Sequence, residues 1–397
     1  MFRLKRLWQL AAVLAAAVLA WSAATMPREA VRLEWPPPAP DEPPVVRGAY
    51  HVHSRASDGT GTMTEIAEAA GRAGLQFVIV TDHGDGFRDP APPRYYGRVL
   101  CIDAVEVSTT DGHYAALGLG RVPYPLGGEA RDVVEDVARL GGFGIAAHPD
   151  SSKRDLRWTE WEAPVDAIEW LNADSQWRDQ DRWRLLPALF QYPFRPEATV
   201  VSIFDRPDAV LRRWDAMTRE RRVVGLAAAD AHARLGLGGK SDPYDERLYL
   251  KLPSYEAVFR AFALRAELAA PFSGRATQDA HVLLDALRQG HVYTVIDGLA
   301  SPAVLSFTAN SGGVTARQGD ALRWQGAATV RVAANGPAGQ VWRLFSNGRV
   351  VHEETSRSFT WPVREPGVFR VEAYVPGAPG TPPLPWRVSN PIYIGTP

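Results

Sequence analysis

From about residue 46 to 300 the chain alternates short, continuous apolar runs with amphipathic stretches. The runs LQFVIV (75–80), VLCIDAVEV (99–107), YAALGLG (114–120), FGIAAH (143–148), DAIEWLN (166–172) and VVGLAAA (223–229) have the pattern of buried strands. Between them, TMTEIAEAAGRAG (62–74) and ARDVVEDVARLGG (130–142) repeat apolar residues at helical spacing and end in glycine, where helices often stop. Helix patterns recur at 254–268 (SYEAVFRAFALRAEL) and 278–289 (QDAHVLLDALRQ). This βαβα alternation predicts an α/β domain with a parallel sheet, open or closed into a barrel. Past residue 301 the period changes to two, in ATVRVAANG, QVWRLFSNGRVVHEE, SFTWPV, GVFRVEAYV and WRVSNPIYI. Asn347-Gly348 is a hairpin-turn signal, and short strands joined by Gly, Pro and Asn turns predict a β-sandwich. No internal repeat is evident.

The ends and the composition refine this picture. A chain of 397 residues is long for one domain, so two are expected. The N-terminus carries Arg3, Lys5 and Arg6, then the apolar segment LAAVLAAAVLAW, then small residues that offer a cleavage site after Ala24. It reads as an export signal or a retained membrane anchor over residues 1–25, which places the body of the protein in the periplasm or outside the cell. A Pro-rich spacer follows (26–45, with WPPPAPDEPP at 35–44), then the α/β domain (46–300) and the β domain (301–397). A net charge of −1 gives no bulk attraction to nucleic acid. The single cysteine, Cys101, excludes an internal disulfide and reads as a small buried hydrophobe.

The chemistry collects on histidines. His51 and His53 stand in GAYHVHSRASDG, where residues two apart on a strand point to one side. His83 closes FVIVTDH, Glu106 lies in DAVEVS, His113 opens TTDGHYAALGLG, His148 ends GIAAH, and Asp230 and His232 close GLAAADAH. Nearly all sit at or just past the end of an apolar run. In a (β/α) barrel, catalytic groups come from strand ends gathered on one face. Six of the nine histidines and three acids, counting Asp58, share this placement. His281, His291 and His352 are most simply structural or solvated.

The ordered set H-x-H, S-D-G, T-D-H, Glu, G-H, H-P and D-x-H resembles the PHP (polymerase and histidinol phosphatase) superfamily over roughly residues 48–235. The resemblance implies a distorted (β/α)7 TIM-like barrel holding two or three divalent metals. The longer layout, with export signal, barrel and a β-rich tail ending PWRVSNPIYI, is similar to the carbaryl-hydrolase-like (CehA/McbA) branch. Carried over, the pattern makes His51, His53, Glu106 and Asp230 ligands of one metal. Glu106 then bridges to a second held by His113 and His148, and Asp58, His83 and His232 hold a third. Asp58 stands where some members have histidine. Imidazole and carboxylate ligands without sulfur suit Zn, Mn or Fe alike. Two such metals about 3.5–4 Å apart can activate a hydroxide and polarise its target, with Asp230 or His232 moving the proton and Glu106 bridging.

The bond broken is less legible. Arg55, Lys153, Arg154 and Arg234 follow the ligand motifs and suit phosphoryl oxygens of a small-molecule substrate. Five tryptophans between Trp158 and Trp183 suit an aryl ester or carbamate if they wall the site, or else pack strand against helix. Three functions stand: a phosphoester hydrolase, a carbamate or carboxylic ester hydrolase, and a non-catalytic module stabilised by its metals.

Overall fold

A computed structural model describes residues 2–35, 42–236 and 249–395 of the chain. Residues 36–41 of the Pro-rich spacer and 237–248 of the α/β domain lie outside the described residues. The N-terminal segment forms helix α1 (Phe2–Ala24). Among the described residues no helix is long and apolar enough to cross a membrane.

Strand β1 (Val45–Val52) leads through helix α2 (Met63–Arg72) to β2 (Phe77–Val80), β3 (Val99–Asp103), β4 (Val105–Thr109) and β5 (Gly112–Leu117). Helix α3 (Ala130–Arg139) returns to β6 (Phe143–Ala146). Strand β7 (Ala167–Asn172) is followed by α4 (Ala173–Arg178), α5 (Arg182–Gln191), α6 (Pro196–Ser202) and α7 (Asp208–Thr218), then β8 (Val224–Ala228). The unit closes with α8 (Tyr255–Ala261), β9 (Ala263–Glu267), α9 (Ala276–Arg288) and β10 (Val292–Val295).

Local chemistry explains these elements. Helix α2 starts on a capping box in which Thr62 and Glu65 satisfy each other's backbone amides. Its apolar face, Ile66, Ala67, Ala69 and Ala70, is buried. Every residue of β2 is buried, as the unbroken FVIV run requires. Gly48 permits β1 to approach β2, since a Cβ there would lie 2.3 Å from the Phe77 ring.

Strands β1, β2 and β3 pair in parallel, as do β6, β7 and β8. Strand β5 departs from the expected parallel sheet, running antiparallel to both β4 and β6. The cause is the connection: Thr110 and Asp111 alone join β4 to β5, and two residues make a hairpin but never a crossover. Isolated parallel bridges, Val52–Ala231 and His83–Glu106, link the two groups of strands at their edges. The fold is therefore mixed α/β.

The expected helix over 254–268 is only half helix. It ends at Ala261, Phe262 turns extended, and Ala263–Glu267 becomes a strand paired antiparallel with β1 and β10. Its apolar residues suit either period, and two partner strands with open hydrogen-bonding edges decide the matter.

Beyond residue 300 lie β11 (Leu305–Ser311), β12 (Val314–Arg317), β13 (Ala328–Ala334), β14 (Val341–Ser346), β15 (Arg349–Glu354), β16 (Ser358–Val363), β17 (Gly367–Tyr374), β18 (Arg387–Ser389) and β19 (Ile392–Ile394). Asn347 and Gly348 turn β14 into β15 with positive φ at both residues, as the dipeptide predicts. One four-stranded sheet has the order β12–β11–β13–β16. The other strands do not stand apart from the α/β unit, because β18 pairs with β10 and β17 follows in the same sheet.

A buried ion pair also ties the two regions. Asp215 on α7 accepts from Arg370 Nε and Nη2 of β17 at 2.6 and 2.7 Å. The guanidinium lies over the Phe345 and Trp214 rings. Asp215→Ala leaves that charge to Glu372 alone and is expected to cost about 3 kcal/mol. Urea unfolding followed by tryptophan fluorescence reads this as a lower midpoint with an unchanged slope.

Candidate metal centre

The nine side chains singled out in the sequence meet at one place. His51 and His53 lie at the end of β1, with Nε2 atoms 3.1 Å apart. Their convergence matches the H-x-H reading, but regular strand alternation is not its cause. His51 has φ 61°, and the β1–β2 register slips between Ala49 and Val52. His148 (φ 30°) and Asp230 (φ 41°) are left-handed as well. Each such non-glycine residue costs on the order of 1–3 kcal/mol and persists where surrounding contacts over-determine the backbone.

Glu106 is the hub. Its Oε1 lies 3.0 Å from His113 Nδ1 and 2.8 Å from His148 Nε2. Its Oε2 lies 3.3 Å from both His51 and His53 Nε2 and 3.1 Å from His83 Nδ1. Asp230 Oδ1 is 3.5 and 3.4 Å from the same two Nε2 atoms. Asp58 Oδ2 lies 3.2 Å from His232 Nε2 and 3.7 Å from His83 Nε2. Four groups have ligand atoms close enough to share an ion: His53, Asp58, His83 and His232; His51, Glu106 and His148; His51, His53 and Asp230; and His83, Glu106 and His113.

No known family profile matches the chain, and no curated protein is significantly similar to it. Several solved structures are similar to it at low identity, three of them as follows. One is a two-domain protein containing a predicted PHP-like metal-dependent phosphoesterase from Bacteroides vulgatus: 13% identity, TM-score 0.38, 86% of this chain and 94% of that one. A second, from Bifidobacterium adolescentis, is described as a metal-dependent phosphoesterase: 14% identity, TM-score 0.29, 48% and 89% covered. The third is an amidohydrolase from Chromobacterium violaceum with bound sulfate and no metal: 16% identity, TM-score 0.25, 36% and 83% covered. With TM-scores this low, the chemistry rests on the chain's own residues.

Those residues fit divalent cations. Glu106 Oε2, His83 Nδ1 and His148 Nδ1 are buried without a hydrogen bond, although Glu106 Oε2 has three imidazole nitrogens within 3.3 Å. A carboxylate oxygen set this close to three imidazole nitrogens is the arrangement a cation satisfies. Electrostatics agrees. Burial opposes charge on His51, yet Asp230, Glu169 and Glu106 hold its imidazole well above the usual range. Against the same burial, Asp230 and Glu106 raise His53 to about 10. Burial likewise opposes ionisation of Glu106 and Asp230, and the surrounding imidazoles, His51 foremost, hold both carboxyls well below the usual range. The cluster thus concentrates positive charge among carboxylates.

Sequence reasoning missed the groups that hold the ligands. Glu169, read as one residue of a buried strand, lies 2.5 Å from His51 Nδ1 and accepts from Tyr50 Oη (3.0 Å), the His148 amide (2.7 Å) and Asn172 Nδ2 (2.8 Å). The available signal was an acid inside an apolar strand, which is rarely left unpaired. Asp82 accepts from Ser54 N (2.7 Å), Ser54 Oγ (2.5 Å) and Ser57 Oγ (2.5 Å), fixing the loop that carries Asp58. Gly59 completes that loop, since a Cβ would lie 2.1 Å from the His53 carbonyl oxygen. Tyr255 Oη donates to the same carbonyl at 2.7 Å. Glu169→Gln keeps the shape but removes the charge behind His51. Zn²⁺ affinity, measured by competition with a chromogenic chelator, is expected to fall about 10–100-fold while the far-UV circular dichroism stays unchanged.

The expected substrate-binding cations are dispersed. Arg55 is exposed and turned to the Thr60 carbonyl (3.1 Å) and Glu65 (3.8 Å). Lys153 and Arg154 are exposed. Arg234 reaches the Asp58 carbonyl at 3.5 Å and lies over the Tyr249 ring. Arg178, not singled out from sequence, pairs with Asp174 and stacks on Trp177. The five tryptophans form no common wall. Trp158 and Trp170 are buried in the core, Trp161 lies under Arg213, Trp183 is 81% exposed, and Trp177 alone of the five lines a cavity beside the cluster.

Proposed function

We propose that this chain is a metal-dependent hydrolase of the PHP type, with phosphoesters as its preferred substrates. The linked strands β1 to β8 are read as its distorted (β/α)7 barrel and the strands after residue 300 as a β-sandwich. The observation that carries the reading is Glu106, one buried carboxylate within 3.3 Å of five imidazoles, with Asp58 and Asp230 completing the ring. No packing requirement gathers that many ionisable groups, whereas catalysis at a polynuclear site does.

His51, His53, Asp58, His83, Glu106, His113, His148, Asp230 and His232 would hold two or three divalent ions such as Zn, Mn or Fe. Bound there, these ions supply Lewis acidity and lower the pKa of water. The chain's own residues do the rest. Glu169 and Asp82 keep ligands and loop in register. Glu106 offsets the crowded positive charge. His232, its Nδ1 donating to the Asp230 carbonyl at 2.9 Å, presents Nε2 to the site, as a ligand when the third ion is bound and as the proton carrier for the leaving group when only two are. Arg234 lies on the same side to meet the ester's anionic oxygens. Residues 1–25 are read as the segment that exports the protein, and the closer kinship to the CehA/McbA branch is part of the same proposal.

The test compares full-length protein with the His51→Ala/His53→Ala variant. Elemental analysis is expected to find two or three metals per wild-type chain and fewer in the variant. Turnover of a phosphomonoester, a phosphodiester and an aryl carbamate is measured on the same samples. Phosphoester cleavage lost in the variant supports the proposal, carbamate cleavage alone replaces the preferred substrate, and a folded wild type that takes up no metal overturns it.

A further inference from the structure

The cluster of candidate ligands borders, through Asp230 and His232, a cavity of about 220 Å³ that none of the ligand motifs announces. Asp230, His232 and Arg234 line it, as do Asp174 and Trp177 of α4. The remainder is apolar except for Tyr192 and Thr199. Leu185, Ala188 and Leu189 come from α5, Val200 from α6, and Ile203 and Phe204 from the turn that follows α6. Leu189 is 49% exposed, so the cavity reaches the surface at α5.

Resting on the hydrolase reading, we propose that the substrate is an ester whose non-reacting part is a compact apolar group, alkyl or aryl, seated in this cavity. An ester held at Asp230 and His232, which line this cavity, has its substituent against the cavity's apolar side chains. Most hydroxyls of a sugar or nucleotide would lose water there against leucine, valine and phenylalanine side chains, because Tyr192 Oη is already engaged with Ser254 and Thr199 Oγ1 can meet only one of them. An alkyl chain or aromatic ring gains about 0.8 kcal/mol for each methylene-sized unit buried, which is roughly fourfold in affinity. The cavity and the ion cluster thus divide the work: one selects the substituent, the other cleaves the head.

The experiment measures binding without turnover. Metal-loaded, full-length protein is titrated calorimetrically with methyl-, butyl-, hexyl- and phenylphosphonate, and in parallel with the carboxylates acetate, pentanoate, heptanoate and benzoate. Affinity is expected to rise about three- to fourfold per methylene up to the capacity of the cavity. Ala188→Trp, which fills the cavity away from the ions, is expected to leave the methyl compounds bound as before and to flatten the gradient. Should that variant fold poorly, Leu189→Gln gives a shallower gradient by making one wall polar. Affinity independent of chain length in both series, or a gradient unchanged in both variants, overturns the proposal. A gradient among carboxylates with no phosphonate binding keeps the cavity's role and instead overturns the phosphoester preference. Absence of bound metal is the separate failure of the hydrolase reading itself, and the carboxylate and phosphonate gradients are then read on the metal-free protein with the same expected and overturning outcomes.

Discussion

Glu106→Gln is expected to reduce turnover by at least about 10³-fold and to lower the metal content of the purified protein. Changing a group that only supports a ligand costs roughly 10–100-fold. Glu106 is central where Glu169 is peripheral: its two oxygens face five imidazoles from four separate segments of chain. The amide retains the shape but offers one neutral acceptor and an NH₂ group, whose protons point at nitrogens poised to donate lone pairs. Atomic absorption on the variant, together with kcat on whichever ester the wild type cleaves, checks both effects. Full metal content with unaltered turnover would remove Glu106 from the centre.

The second large effect concerns pH. In the metal-free protein, His53 is raised from 6.5 to about 10, and His51 and His148 also lie above the ordinary imidazole range. Below about pH 6.5 these imidazoles are protonated in folded and unfolded chains alike, and their contacts with Glu106 and Asp230 stabilise the fold in full. As pH rises from about 6.5 towards 10, the unfolded chain releases protons that the folded chain retains, so this stabilisation is lost. Metal binding has the opposite sign, because ligands must shed protons before they coordinate. Melting curves at pH 6.5, 8 and 9.5 are therefore expected to show the chelator-treated protein losing at least about 2 °C. Over the same range the gap between zinc-loaded and chelator-treated samples should widen. A chelator-treated melting temperature flat across this range would mean the carboxylates do not hold those protons.

The contrast between ligands and their supports shows what the sequence could disclose. His51, His53, His83, His148, Asp230 and His232 were legible because each stands at or near the end of an apolar run, and their strand ends do gather. His113 was legible as a residue but not in its path, since it enters from the beginning of an antiparallel strand. Glu169 stood out as an acid in an apolar strand, but neither it nor Asp82 disclosed its partners. Their partners are 118 and 28 residues away for His51 and Ser54 respectively, and no local period encodes such pairings. The helix expected over 254–268 failed for a similar reason: its apolar positions fit two periods, and the neighbouring strands chose. The cavity was hidden too, because α4, α5 and α6 contribute separate parts of one surface.

Strand β10 carries a consequence for solution behaviour. In the intact chain Val292–Val295 is flanked by β9 on one side and β18 on the other, and all four residues are buried. Without the C-terminal strands, one side of β10 would be an apolar edge of open amides and carbonyls, the template on which copies of a chain stack into aggregates. The region after residue 300 thus covers an edge that would otherwise invite self-association.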